Sequence, residues 1–554
     1  MKDTFSLSLL IIVILMRYYT VLDSFWLADD TQILKYVITH RPWEYFFSST
    51  AFKESGSLSF TPWVCLSFEV DWNIFGLRPS GFYLHHLTAL CLVAVCCYIT
   101  LRLWFSSAWS LFGGVVFAIS SPFAEFAQFL MVRHYAEGLI FALLALYCFV
   151  VGIRNDKLPL SIFGALLYLL ACSAKEIYAP LVFFVVILPE AKWKKRLLHA
   201  MPFFCAATFY VFWRWHMLGM LTGGYGLPLV WPQDAVLLPQ RIADAMGGAA
   251  DNRMSWWRCF IGASSLVSVI VLFKVNKKRL FYIIGCSPLV LLPIIPVSPI
   301  MSTRYVWLLT FCWIVVNIVV FNDILLKLKG RLFAKVAVYC WSLILLFSFF
   351  YASSIYMEYL KSTADRHKVE GIFFLQTGTM SDLLVNPTAP AWYYEGLTWL
   401  RKQVLHLPEG PALNFDPNLF CLKVISYEKY KNIWRYNVPT KTLISYSGEN
   451  YFNSNCKDIT ERVRLEAPLS LSIKYEKSTL GWEFGPYKNG SYDLVFGPGG
   501  ESIRQMPNNG RRFVGLNEDV RFRLRYSSPE GWRTYSPLLV LSIADDKGSI
   551  DWKR

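Results

Sequence analysis

The sequence predicts an α-helical polytopic membrane domain of about eleven spanning helices, followed by a small β-rich or α+β extracytoplasmic domain. Three observations carry this. Hydrophobic residues make up 55% of the 554-residue chain and charged residues only 17%, against roughly 25% charged in a soluble globular protein. The apolar residues are gathered in blocks long enough to cross a hydrocarbon core of ~30 Å. The loops between those blocks alternate in charge.

The blocks fall at about 5–22, 84–101, 107–122, 136–153, 158–172, 177–190, 200–218, 257–273, 280–297, 304–323 and 336–356. Every second loop is basic: Arg102; Arg154 and Lys157; Lys192, Lys194, Lys195 and Arg196; Lys274, Lys277, Lys278 and Arg279; Lys327, Lys329, Arg331 and Lys335. By the positive-inside rule these loops are cytoplasmic, which puts the amino terminus inside and the carboxy-terminal tail outside the cytoplasmic (inner) membrane. The first block has little positive charge before it and no small-residue cleavage site after it, so it reads as an uncleaved anchor. Most of the net charge of +15 lies in the same loops. It is a topology signal rather than a nucleic-acid footprint, and the expected partners are membrane lipids and a membrane-borne substrate.

Eleven of the thirteen cysteines lie in or near the apolar blocks without metal-ligand spacing; Cys421 and Cys456 fall in the tail and can pair if it is exported. The chain divides into a membrane domain (1–356), a connecting region with a helix around Trp392–Leu405 between Pro-rich turns (357–440), and a β-rich domain (441–554). The strands expected in the last are Leu469–Tyr475, Tyr492–Phe496, Val520–Tyr526 and Leu538–Ile543, which suit a small sandwich.

Ionisable groups inside a membrane domain cost several kcal/mol unless paired or wetted, so they are the functional candidates. Asp29 and Asp30 directly follow the first helix. Such a pair can hold a metal ion, or one member can act as a base while the other orients it; the alternative is a helix cap. Glu125, Arg133 and His134 lie in the second external loop, Lys175 and Glu176 between blocks five and six, and Arg304 at the start of block ten. Singly, each can be a snorkelling or ion-paired interfacial residue. Together they put acidic groups and three cations on one external face, a mixture suited to a phosphate-bearing substrate whose acceptor needs a base. There is no Walker loop, dinucleotide fingerprint, HExxH or nucleophile elbow.

These residues resemble the C-type polytopic (GT-C) glycosyltransferases, in particular the protein O-mannosyltransferase-like branch. The acidic pair Asp29-Asp30 is followed by Phe60-Thr-Pro-Trp-Val-Cys-Leu-Ser-Phe68 and Phe75-Gly-Leu-Arg-Pro-Ser-Gly-Phe82, similar to the branch's "RPL…LSF…FGL.P.GFH". Glu125 and Arg133 match the spacing of "HP…EAV……R.D", Lys175-Glu176 a recurring Lys-Glu, and Arg304-Tyr305 a later Arg-Tyr. Thr61 stands where the branch has Arg, Ser121-Pro122 where it has His-Pro, Tyr83 where it has His, and Tyr135 where it has Asp. The likeness covers about residues 20–190, reaches thinly to 310 and leaves the tail unmatched.

The resemblance implies inverting transfer of one sugar from a polyprenyl-phosphate donor to an extracytoplasmic glycan, glycolipid or protein. Asp29 or Asp30 would be the base, with Asp30 marginally preferred for its depth, and Glu125 would orient the acceptor or share that task. Arg133, Lys175 and Arg304 would hold the lipid phosphate, with His134, Glu176 and Arg253 as further contacts. Some members use a divalent cation (Mg or Mn) and others none; Asp29 and Asp30 would be its place here. Two rivals remain at this level: a lipid-linked sugar flippase or other transporter, and a non-catalytic scaffold whose tail does the binding.

Overall fold

The computed structural model describes residues 2–57, 59–221, 233–248, 255–327, 331–422, 424, 429–477, 479–497, 500–513, 519–544 and 547–554. It falls into two compact units, Met1–Ala364 and Asp365–Arg554.

Each of the eleven apolar blocks forms helix. In chain order the main helices of the first unit are α1 (Lys2–Tyr18), α2 (Asp30–Thr39), α3 (Pro62–Phe75), α4 (Pro79–Leu101), α5 (Ser107–Ala118), α6 (Ser121–Gln128), α7 (Arg133–Arg154), α8 (Leu158–Ala174), α9 (Leu181–Ile187), α10 (Trp193–Leu218), α11 (Gln233–Gly247), α12 (Ser255–Val275), α13 (Lys277–Leu291), α14 (Trp307–Lys327) and α15 (Leu332–Ile372). Among the described residues, six helical runs are long and apolar enough to cross a membrane: Lys2–Asp23, Pro79–Leu101, Leu130–Arg154, Trp256–Val275, Thr303–Lys327 and Leu332–Thr377. The chain is an integral membrane protein.

Length and apolarity alone therefore support six spans rather than the eleven expected, for identifiable reasons. The 107–122 block is two helices, α5 and α6, bent by 57°; counted as one span they raise the number to seven. The bend sits where Ser120 caps the new helix through Phe123 N and Pro122 opens its first turn. The 177–190 block is a single turn, Glu176–Tyr178, followed by the seven residues of α9. α10 is long but carries Lys194, Lys195, Arg196, His199 and Arg214.

Polar contacts gather the helix ends into two groups. α7 is 22 residues long, about 33 Å at 1.5 Å per residue, and its termini mark the two ends of the unit. At the Arg154 end, Arg154 pairs with Glu190 at 2.8 Å, Lys195 with Asp156 at 2.9 Å, and Arg102 with Asp3 at 2.8 Å. Arg279 pairs with Asp323, and Lys327 Nζ donates to the Lys274 carbonyl at 3.0 Å. Trp109, near the start of α5, packs on Phe321 near the end of α14, with ring centres 5.6 Å apart. The basic loops thus share one end of the unit, and the candidate residues lie at the other. Small residues allow close helix packing on the way: a Cβ on Gly138 of α7 would lie 2.5 Å from the Tyr178 ring.

In the second unit, β1 (Asp382–Val385) is flanked by β2 (Ala412–Asn414) and β3 (Asn432–Asn437), both parallel to it, and β4 (Thr442–Tyr446) runs antiparallel to β3. The helix α16 (Ala391–Gln403) joins β1 to β2, where a helix around Trp392–Leu405 was expected. These four strands and α16 build a small α/β layer on a buried cluster that includes Leu383, Phe420 and Ile433. Beyond it lie β5 (Ser470–Glu476), β6 (Thr479–Gly485), β7 (Ser491–Phe496), β8 (Ser502–Met506), β9 (Asn509–Phe513), β10 (Val520–Ser527), β11 (Arg533–Tyr535), β12 (Leu539–Leu541) and β13 (Lys547–Lys553). They form two antiparallel sheets, β13-β5-β6-β9 and β11-β10-β7-β8, with β12 on β10. The inward residues of β5 and β10, Leu471, Ile473, Tyr475, Phe522, Leu524 and Tyr526, meet in one core. The alternation read from the sequence is this pattern.

Cys421 and Cys456 form a disulfide in the α/β layer, across 35 residues. Closing a loop of that length removes unfolded-chain entropy worth about 4 kcal/mol. Replacing both cysteines by alanine in the full-length protein should destabilise the second unit by that order while leaving the melting of the helical unit unchanged, as followed by limited proteolysis against temperature.

Candidate functional site

The segment Met131–Tyr135, where the chain enters α7, is the centre around which the candidate residues collect. Arg304 enters from the turn Thr303–Val306, its Nη1 3.9 Å from the Met131 sulfur and its guanidinium over the Tyr305 ring. Lys175 ends α8 and lies buried with Nζ 4.7 Å from the centre of the Tyr135 ring. His134 is buried against Tyr135, and the charges of both Lys175 and Arg304 act on it. Tyr135, where the resembled branch has Asp, is therefore the aromatic floor under a lysine.

The acidic pair approaches the same segment from the turn before α2. Asp30 is fully buried; its Oδ2 accepts from Leu27 N at 2.8 Å and its own N–H donates back to the Leu27 carbonyl at 2.9 Å. This reciprocal tie holds Ala28 at φ +45°, a left-handed conformation that costs a residue with a Cβ on the order of 1–3 kcal/mol. Asp29 sits at the N-cap position of α2, but its side chain does not cap the helix, and it is only half-buried. The cap alternative thus fails for Asp29, while Asp30 serves the turn.

Burial pushes the Asp30 carboxyl up to about 8 against the pull of the Leu27 amide; the charge of Asp29 adds to the rise, and the Met131 backbone and Arg133 oppose it. At pH 7 Asp30 is therefore mostly neutral. Its folded pKa lies above the unfolded value of ~3.9, so the folded state keeps a proton that the unfolded state gives up. That contribution is full below about pH 4 and is lost as pH rises through about 8. The solubilised protein should lose stability between pH 5 and 8, and Asp30→Asn should flatten that part of the melting-temperature profile. An unchanged slope in the variant would remove Asp30 as its cause.

Glu125, on α6, is buried; Ser302 Oγ donates to its Oε1 at 3.2 Å and Tyr356 OH to its Oε2 at 3.1 Å. The positive charge of Arg304 acts on it. Glu176 lies elsewhere: its Oε1 accepts from Phe60 N at 2.8 Å and from Arg214 Nε at 2.7 Å, tying the first long loop to α10. Arg133 is held by carboxylates of the protein itself. It is fully buried, with Nη1 2.5 Å from Asp71 Oδ2 and Nε 3.7 Å from Glu137, and Asp71 also binds His85 at 2.7 Å. Ser67 and Trp63 donate to Glu137 and complete this network. Arg253 lies outside the described residues.

Among the described residues no three His, Cys, Asp or Glu side chains converge as metal ligands. Asp30, one of the two expected carboxylates, is engaged with Leu27 and mostly neutral, whereas a divalent cation wants ionised oxygen ligands.

Sequence reasoning passed over Asp71, Arg214, Ser302 and Tyr356. For Arg214 a signal was present, a cation inside the apolar block 200–218; Ser302 and Tyr356 carry none, because their tie to Glu125 spans 177 and 231 residues.

No family model matches the sequence, and no curated protein matches it. Among solved structures, the chain is similar to the oligosaccharyltransferase AglB of Archaeoglobus fulgidus in complex with an inhibitory peptide and a dolichol-phosphate. The match is 9% identical, covers 99% of this chain and 93% of that one, and has a TM-score of 0.43. Two further structures of the A. fulgidus oligosaccharyltransferase match similarly. The complex with Zn and sulfate has a TM-score of 0.42 at 9% identity, covering 98% of this chain and 94% of that one. The form tethered to an acceptor peptide has 0.38 at 10%, covering 94% and 79%. TM-scores below 0.5 at such identities assign neither a family nor the role of any residue.

Proposed function

We propose that this protein is a GT-C-type polytopic glycosyltransferase that moves a single sugar, with inversion, from a polyprenyl-phosphate donor to an extracytoplasmic glycan, glycolipid or protein. The observation that carries the reading is the convergence of Asp30, Lys175 and Arg304 on the Met131–Tyr135 segment, with Asp29 next to Asp30 in the chain, at the end of the helical unit away from the basic loops. In this reading the half-exposed Asp29 is the base and Asp30 a neutral positioning residue, reversing the marginal preference for Asp30. The acceptor hydroxyl gives its proton to Asp29 as its oxygen attacks the anomeric carbon. The bond from that carbon to the phosphate oxygen breaks on the opposite face, and the polyprenyl phosphate leaves with the bonding electrons. Lys175 and Arg304 compensate the charge that develops on it, in a setting where buried cations act strongly. Glu125 positions Arg304, Arg133 acts through its charge on Asp30, and His134 and Glu176 support the pocket and the loop over it; Arg253 remains a proposed donor contact.

The orientation belongs to the same proposal: an odd number of crossings, amino terminus cytoplasmic, second unit outside the cytoplasmic membrane. The gathering of the basic loops at one end supports it, as does a disulfide in the second unit, since disulfides persist in oxidising compartments. Mass spectrometry of surface glycans, glycolipids and glycoproteins with and without this protein tests the function. One species should lose one sugar residue; identical profiles in all three fractions would overturn the assignment.

A further inference from the structure

At the opposite end of the helical unit, the chain from 255 to 356 collects Lys274, Lys277, Lys278, Arg279, Lys327, Arg331 and Lys335, with Asp323 as its one carboxylate. That carboxylate is buried and taken by Arg279. The Lys327–Lys274 contact draws the two basic stretches together. Beside them an open concavity of about 530 Å³ is lined by Lys277, Lys278, Phe281 and Tyr282. Both lysines are exposed, Lys277 Nζ stands 4.7 Å over the Phe273 ring, and Phe281 is 73% exposed on the apolar side.

This combination has more cations than any internal acid neutralises. Lysines stand on the polar rim of the concavity, and an unpartnered aromatic ring lies immediately on its apolar side. Positive-inside signalling accounts for the charge but not for its placement beside two aromatic rings in the first turns of one helix, α13. We propose that the concavity binds the phosphate headgroup of an anionic membrane lipid, with Lys277 and Lys278 on the phosphate and Phe281 and Tyr282 against the glycerol and upper acyl chain. Charge complementarity selects the occupant, because polybasic segments next to a membrane helix draw anionic headgroups. Aromatic rings favour the headgroup level. The lysine side chains are exposed, so neutralising them leaves the fold intact.

Native mass spectrometry of the full-length, detergent-solubilised protein, titrated with short-chain phosphatidylglycerol or phosphatidylcholine, tests this. The wild type should retain phosphatidylglycerol with about tenfold preference, a gain of roughly 1.4 kcal/mol. Lys277→Gln/Lys278→Gln should abolish the preference, and Lys277→Arg/Lys278→Arg should keep it. Lys192→Gln/Lys194→Gln, in another basic loop at the same end, should leave it unchanged. A wild type without preference, a preference that survives the glutamine pair, or an equal loss in the Lys192/Lys194 control would each overturn the site. Full displacement of the lipid by inorganic phosphate would overturn the lipid as its ligand.

Discussion

Asp29→Asn should lower sugar transfer by about 10²–10⁴-fold, the usual contribution of a positioned general base, with insertion and melting temperature unchanged. The expectation follows from the contrast between two adjacent carboxyls. Asp30 is fully buried, engaged with the Leu27 amide and mostly neutral at pH 7, so it has little capacity to take a proton. Asp29 is half-buried and its side chain does not cap the helix, so it is the more accessible of the two. Asp30→Asn, an isostere of the neutral acid, should keep most of the activity at pH 7. The check is the rate at which the sugar-bearing species reappears when each variant is restored to membranes lacking the protein. Activity lost in Asp30→Asn and retained in Asp29→Asn would reverse the assignment. Activity retained in both would remove the acidic pair from the chemistry.

Much of the fold was legible because lipid enforces a coarse rule: a spanning segment must satisfy its own backbone, so long apolar blocks become helix. Block boundaries were less legible. The break at Ser120–Pro122 is local cap chemistry inside a continuous apolar run, and α9 is cut short by the turn Glu176–Tyr178 before it and Pro189 after it. The strands β5, β7 and β10 were readable from alternation, whereas β1, β2 and β3 were missed. β1 is buried at every position and so shows no alternation, and β2, with three residues, is too short to show any. In the site, the sequence showed which charges exist but not which are already paired. Asp30, Glu125, His134, Lys175 and Arg304 lie at one end of the helical unit, but Arg133 is held by Asp71, 62 residues earlier. A charge in an apolar neighbourhood announces that it has a reason; only the fold tells whether the reason is a ligand or another residue.

The Arg133 network yields the largest stability effect. Asp71→Asn removes the carboxylate that faces a guanidinium with no measurable exposure, leaving Arg133 with the more distant Glu137 at 3.7 Å and the Phe82 carbonyl at 3.2 Å. Breaking one side of a buried pair costs about 3–5 kcal/mol, because the remaining charge stays desolvated without its partner. Arg133→Gln should be at least as costly, since it leaves Asp71 and Glu137 as two buried carboxylates with only His85 between them. The double variant Asp71→Asn/Arg133→Gln should be more stable than either single one. Glu137 then still accepts from Ser67 at 2.8 Å and Trp63 at 2.9 Å, and no guanidinium is stranded. Thermal melting of the three solubilised variants measures this coupling. If the double variant instead loses the sum of the two single losses, the pair is uncoupled, and Arg133 is free to be what the sequence first suggested, a ligand for the donor phosphate.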